Sequence, residues 1–212
     1  MKTISRLFLI AGLVAFSSCT PSPKNTEEQN ISSKNQVIET IMSRRSIRKY
    51  KQQPVEMEKL QKILDCGINA PNGQNKQSWE IRVVNTPEYI AELDSLNRNL
   101  SLAKGVDASR IRHASYGAPV LVFIANDPSY DFSQVDCGLL GANMILTAQS
   151  LGLGSCCLGG IARTMKLPEA ESLLKRLEFP ENYNLLYAIS FGYPDESPAA
   201  KPRIADKIKF ID

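Results

Sequence analysis

The sequence predicts an α+β domain in three layers, with helices on both faces of a mixed sheet of four or five strands. Three observations carry that expectation. Helix-like and strand-like segments alternate along residues 35–212. The run Pro119–Ala125 (PVLVFIA) is apolar without interruption, as in a strand covered on both faces. A chain of 212 residues, 43% of them hydrophobic, suits one domain with a sizeable core.

The elements follow in order. Val37, Ile38, Ile41 and Met42 recur at helical spacing, ahead of a basic run from Arg44 to Lys51. Val55, Leu60, Ile63 and Leu64 form a second helical stripe, stopped by Gly67 and Pro71. Trp79–Val84 (WEIRVV) alternates and reads as a strand. Thr86-Pro87 supplies an N-cap and a proline at the first helical position, opening a helix through about Leu96. Asn97–Tyr116 is polar and poorly periodic. Asp136–Leu151 is the longest apolar helix candidate, and Gly152–Gly160 reads as a glycine-rich loop or strand. Pro168 opens a helix through Leu177, and Tyr183–Phe191 is a final buried strand. There are no internal repeats.

The first 18 residues read as a signal peptide: Lys2 and Arg6 precede the apolar run Leu7–Phe16, which is too short to span a bilayer. Ser17-Ser18-Cys19 resembles a bacterial lipobox, so Cys19 is the expected lipidation site and the cell envelope the expected location. Residues 20–34 are polar and proline-bearing, with too little apolar surface to offset their ordering, and read as a flexible tether. The domain is thus expected over residues 35–212, meeting a membrane only through the N-terminal lipid. Removing residues 1–18 takes Lys2 and Arg6 from the 25 basic residues and leaves 23 against 22 acidic. With so little basic excess, a nucleic-acid partner has no compositional support.

Four clusters could carry chemistry. In Arg44-Arg45-Ser46-Ile47-Arg48, three guanidiniums and a hydroxyl lie within five positions, a set suited to binding phosphate, although a solvated helix C-terminus would look similar. Ala70-Pro71-Asn72-Gly73-Gln74-Asn75-Lys76-Gln77-Ser78-Trp79 is packed with amides, whose paired donors and acceptors match the edge of a flavin pyrimidine; Asn-Gly equally suits a plain turn. Leu151–Gly160 offers glycines that let a ligand approach the backbone. Gly192-Tyr193-Pro194 is followed by the basic pair Lys201 and Arg203.

These motifs, in this order from Val37 to about Arg203, resemble the nitroreductase family of flavoproteins. The resemblance implies an interwoven homodimer binding FMN, which carries out two-electron, ping-pong reduction of a small acceptor. It assigns Arg44, Arg45, Lys201 and Arg203 to the FMN phosphate, and Ser46 to the phosphate or ribityl chain. Arg48 is assigned to the N1–O2 edge, where positive charge favours the reduced ring. Asn72, Gly73 and Asn75 are expected from the other subunit, Leu158, Gly159 and Gly160 near N5, and Asp136 at the ring edge. Ser78 departs from the proline common before the tryptophan, Gly159 stands where some members are acidic, and the segment before Pro119 is short. The last departure bears on the acceptor, which is expected to be nitro-aromatic, quinone-like or otherwise small.

The flavin carries the redox chemistry, so no dedicated catalytic residue is expected, and His113 is the single histidine. No C-x-x-C occurs; Cys66, Cys137, Cys156 and Cys157 read as free thiols, and no metal site is expected. Two other readings stand beside this one: a different reaction of the same superfamily, such as reductive dehalogenation, and a non-catalytic flavin-binding lipoprotein of the envelope. Export also raises the question of the electron donor, because nicotinamide cofactors are cytoplasmic.

Overall fold

The computed structural model describes residues 35–211. The expected signal peptide, Cys19 and the tether lie outside the described residues. Six helices are described: α1 (Gln36–Ser43), α2 (Met57–Ile68), α3 (Pro87–Ala103), α4 (Ser133–Ser150), α5 (Gly159–Thr164) and α6 (Glu171–Lys175). Four strands accompany them: β1 (Trp79–Val84), β2 (Val120–Asn126), β3 (Gly154–Leu158) and β4 (Asn184–Gly192).

The sheet has the order β1-β2-β4-β3, and every neighbouring pair is antiparallel. This corrects the expected mixed sheet. The succession β2–α4–β3 does produce two strands of the same direction, as strand–helix–strand patterns do. The final strand β4 then inserts between them and runs opposite to both. A connection pattern legible in sequence therefore did not determine adjacency. One parallel contact exists beside the sheet, a bridge between Ser46 and Ser155.

The three layers are as expected. All seven residues of β2 are buried. Its Leu121 and Phe123 face a core with Tyr89 and Leu93 of α3, Ile161 of α5 and Leu173 of α6. Its Val120, Val122 and Ile124 face a second core with Leu60 and Ile63 of α2 and Leu140 and Met144 of α4. Period-two alternation within one apolar strand thus serves two cores.

Boundaries differ in informative ways. α3 runs to Ala103 rather than Leu96. Its second half is mostly solvent-facing, and the stop is Gly105, at φ 75° just past the helix end, where a left-handed residue closes the last turn. α4 opens at Ser133, three residues before the expected start. The glycine-rich stretch resolves into β3, and then Gly159 and Gly160 begin α5. α1 has no buried residue, so its apolar stripe faces outward in one chain.

Candidate functional site

The arginine segment is seated on two glycines. Gly154 of β3 and Gly192 of β4 are register partners. Ile47 lies so close over Gly154 that a β-carbon there would sit 2.7 Å from Ile47 Cγ1. Tyr50 and Pro119 close over Gly192 in the same way, at 2.9 and 2.7 Å. The Ile47 N–H donates to Ser155 O at 3.0 Å, and the buried Tyr50 hydroxyl donates to Ile47 O at 2.8 Å and meets Ser190 Oγ at 2.9 Å. The following residues pair with the chain beyond β4: Lys51 N–H donates to Tyr193 O, Asp195 N–H donates to Lys49 O, and Lys49 Nζ meets Asp195 Oδ2 at 2.7 Å.

This seating brings Arg44, Ser46 and Arg48 together around Cys156. Burial pushes the Cys156 thiol above its ordinary value, while Arg48, Ser46 and Arg44 act against that shift. Neither the Arg44 nor the Arg48 guanidinium forms an ion pair with another described residue. Arg48 lies 6.0 Å from the centroid of the Tyr116 ring, and its backbone N–H donates to Glu196 Oε1. Arg45 turns back instead, donating from Nη1 to Met42 O and Arg44 O, both at 2.8 Å, and so caps the end of α1. Lys201 and Arg203 are exposed in the C-terminal segment; Arg203 Nη1 donates to Lys201 O at 3.3 Å. No contact with the arginine segment is described for either.

β3 leads from Ser155 to the turn that opens α5, about 13 Å away by the rise of an extended chain. A β-carbon at Gly159 or Gly160 would meet nothing within 4 Å. The first amides of a helix have no intrahelical acceptor, so this open turn presents free N–H donors. Leu158, by contrast, packs into the core.

The amide loop lies elsewhere. Asn72–Gln77 includes three non-glycine residues in the left-handed region, Gln74, Asn75 and Gln77, at φ 56°, 53° and 49°. Side chains hold the loop there: Asn72 Oδ1 accepts from the Gln77 N–H at 2.9 Å, and Lys76 Nζ stands 4.3 Å over the Tyr130 ring. Asp136, 2% exposed, accepts from the Gly73 N–H at 3.0 Å and from Ser78 Oγ at 3.1 Å. Asp136 is therefore the loop's anchor, turned into its own chain, where a ring-edge contact was expected. Its first-turn position on α4 also suits a carboxylate.

The loop precedes β1 at one edge of the sheet, and the arginine segment adjoins β3 at the other. The registers put them at opposite ends as well, because Trp79 pairs with Asn126 whereas Ser155 lies across Phe191 from Val120. They stand about 20 Å apart along the strands and about 14 Å across them. Within one chain, the arginines and the amides cannot hold the same end of one small ligand.

Two features were missed from sequence, and a third, His113, was read only as the single histidine. Tyr116, beneath Arg48, sits in the polar stretch that gave no periodic signal; its place just before Gly117 was the only cue, and both adopt positive φ. Glu196 was passed over because nothing in its neighbourhood suggested a role. His113 Nδ1 lies 3.1 Å from Asp94 Oδ2, which also accepts from Ser115 Oγ at 2.6 Å. Since that serine bonds the carboxylate and not the imidazole, the trio is not arranged for nucleophilic catalysis. Cys66, Cys137, Cys156 and Cys157 are free thiols, and burial pushes Cys137 up to about 12.

Fold and site together define an α+β protein with a paired-glycine seat for an arginine-rich segment and an open backbone turn at the end of the next strand. A profile of the nitroreductase family matches residues 41–193. The chain belongs to that family. The NADPH-flavin oxidoreductase of Vibrio harveyi is 30% identical over 182 residues, covering 80% of this chain and 70% of that protein. The FMN reductase (NADPH) of Bacillus subtilis is 27% identical over 180 residues, with the same coverage. A solved nitroreductase with bound FMN from Bacteroides fragilis superposes with a TM-score of 0.73 at 30% identity, covering 84% of this chain and 100% of that one.

Proposed function

We propose that this protein is an FMN-dependent oxidoreductase of the nitroreductase type, reducing a small acceptor by two electrons. The observation that carries the reading is the pair of guanidiniums of Arg44 and Arg48, neither in an ion pair among the described residues, held with Ser46 beside the strand that leads to the Gly159–Gly160 turn. Guanidiniums outside any described ion pair, on a segment fixed by a buried tyrosine and two glycines, fit a phosphorylated cofactor. The open glycine turn fits the close approach of a flat ring to backbone N–H groups. FMN supplies hydride acceptance and delivery when bound.

The chain's own residues do the rest. Arg44 and Ser46 would hold the phosphate end. Arg48 places positive charge toward the ring edge, where it favours added electrons. The Gly159 and Gly160 N–H groups would orient the ring. Asn72, Gly73 and Asn75 would complete the site from a second copy, because their own chain keeps them a sheet's diagonal away from Ser46. Outward-facing apolar side chains suit such a homodimer: Ile41 and Met42 on α1, Phe132, Val135 and Leu139 at the start of α4, and Phe210 near the C-terminus. Lys201 and Arg203, exposed in the same C-terminal segment, would add their charges to the phosphate end.

Purified protein is expected to be yellow and to bleach on anaerobic addition of NADH, NADPH or a chemical reductant. A nitro-aromatic or a quinone then restores the colour. Arg44→Ala/Arg48→Ala is expected to lose most of its flavin while keeping its circular-dichroism spectrum. A colourless wild type that cannot be reconstituted with FMN removes the proposal. A flavin that accepts electrons but passes them to no acceptor favours a binding role.

Cys19 is proposed as the lipidated N-terminus of an envelope protein, on the strength of the charged, apolar and small-residue order before it. Radiolabelled fatty acid should mark the wild type and not Cys19→Ala. Equal labelling of the two rejects the anchor and, with it, the need for a donor outside the cytoplasm.

A further inference from the structure

A cavity of about 700 Å³ lies along α3, lined by none of the residues assigned to FMN. Its volume is within the usual range for sites that take drug-sized molecules. One face of α3 forms its wall: Pro87, Ile90, Ala91, Asp94, Ser95 and Arg98. That spacing is a single helical stripe, about 16 Å long at the rise of an α-helix. Facing it are Pro54, Val55, Ala118, Pro119 and Val120.

The two ends differ in character. Val84 pairs with Leu121, so Pro87, just past β1, and Val120, at the start of β2, share one end. That end is apolar apart from the amides of Gln52, Gln53 and Asn85. At the other end stand Arg98, Arg112 and His113. Asn97 Nδ2 donates to Arg112 O at 3.2 Å, which fixes Arg112 beside the turn of α3 that carries Arg98. Neither guanidinium forms an ion pair with another described residue. The one carboxylate of the lining, Asp94, is 9% exposed and already accepts from the Ser115 N–H at 2.9 Å, from Ser115 Oγ at 2.6 Å and from the His113 side. The cavity therefore combines an apolar end, built by Pro54, Val55, Pro87, Ile90, Ala118 and Val120, with a cationic mouth whose two guanidiniums have no ion-pair partner among the described residues.

We infer that this trench is a second ligand site, for an unbranched medium-chain carboxylate, with its chain along α3 and its head group between Arg98 and Arg112. Planar guanidiniums match a carboxylate by paired hydrogen bonds, and the apolar wall rewards burial of the chain. A neutral chain gains only the second contribution, so the charge sets specificity. The site is independent of the flavin reading, since it shares no residue with it.

Isothermal titration calorimetry of the full chain with decanoate tests this directly. One saturable site is expected. Arg98→Ala/Arg112→Ala should weaken decanoate by at least about tenfold, and decanamide should bind wild type more weakly than decanoate by a similar factor. Ile90→Trp, which fills the trench from α3, should abolish both. Circular dichroism and thermal unfolding confirm that each variant is folded. Absence of saturable binding, equal affinity for acid and amide, or binding retained in Ile90→Trp would each overturn the inference.

Discussion

Asp136 shows how one residue's surroundings assign its work. Its two oxygens accept from a backbone N–H of the amide loop and from Ser78, and it lies almost fully buried at the first turn of α4. A carboxylate so placed sets the loop's position through hydrogen bonds and gains from the helix terminus. Asp136→Ala leaves Gly73 N–H and the buried Ser78 hydroxyl without their acceptor, a loss of about 1–3 kcal/mol. The expected result is a lower denaturation midpoint and faster proteolysis within residues 72–77. Unchanged proteolysis would mean that the loop's left-handed residues are held by Asn72 and Lys76 alone. Residue identity was legible here: the amide loop and Asp136 were both singled out. The partner was not, because 63 positions separate Gly73 from Asp136.

At the scale of elements, the arginine segment depends on a strand pair. Ile47 rests on Gly154 and Tyr50 on Gly192, so the residues proposed to hold phosphate are positioned by the absence of two β-carbons. A methyl group at Gly154 would meet Ile47 Cγ1 at 2.7 Å and Cβ at 2.9 Å, and a β-branched side chain anchored by Ser155 has little room to yield. Gly154→Ala is therefore expected to cost about 1–3 kcal/mol, as overpacking does. Because the same shift moves Ser46 and Arg48, flavin retention should fall along with the midpoint of chemical denaturation. Unaltered stability and flavin content together would show that the segment is held from the Tyr193–Asp195 side. The sequence located this segment and the glycines separately. Their contact joins residues more than 100 positions apart and has no periodic signature.

For the whole molecule, the separation of the two halves of the site has a consequence for assembly. The arginines and the amide loop occupy opposite corners of the sheet, while α1, the start of α4 and the C-terminal segment expose large apolar side chains. Light scattering of the purified protein should give the mass of a dimer. A charge in the outward stripe, Leu139→Glu, is expected to shift it toward the monomer and to release flavin in parallel. A monomeric wild type that retains stoichiometric FMN would mean that one chain suffices.

The sequence by itself determined most element types, though not β3 or α5, together with the buried strand β2 and the motifs that carry the family resemblance. Each is written locally: apolar period, capping residue, or a cluster of like functional groups within ten positions. Strand adjacency, the antiparallel sheet and the length of α3 were settled by tertiary structure. β4 pairs with β2 and β3 along their edges through backbone hydrogen bonds that carry no side-chain signature, and the exposed half of α3 has no apolar stripe to announce it. The cavity along α3 belongs to the same category. Its wall comes from a helix stripe, its opposite side from Pro54, Val55 and the entry to β2, and its mouth from an irregular segment, and only packing brings those three surfaces together.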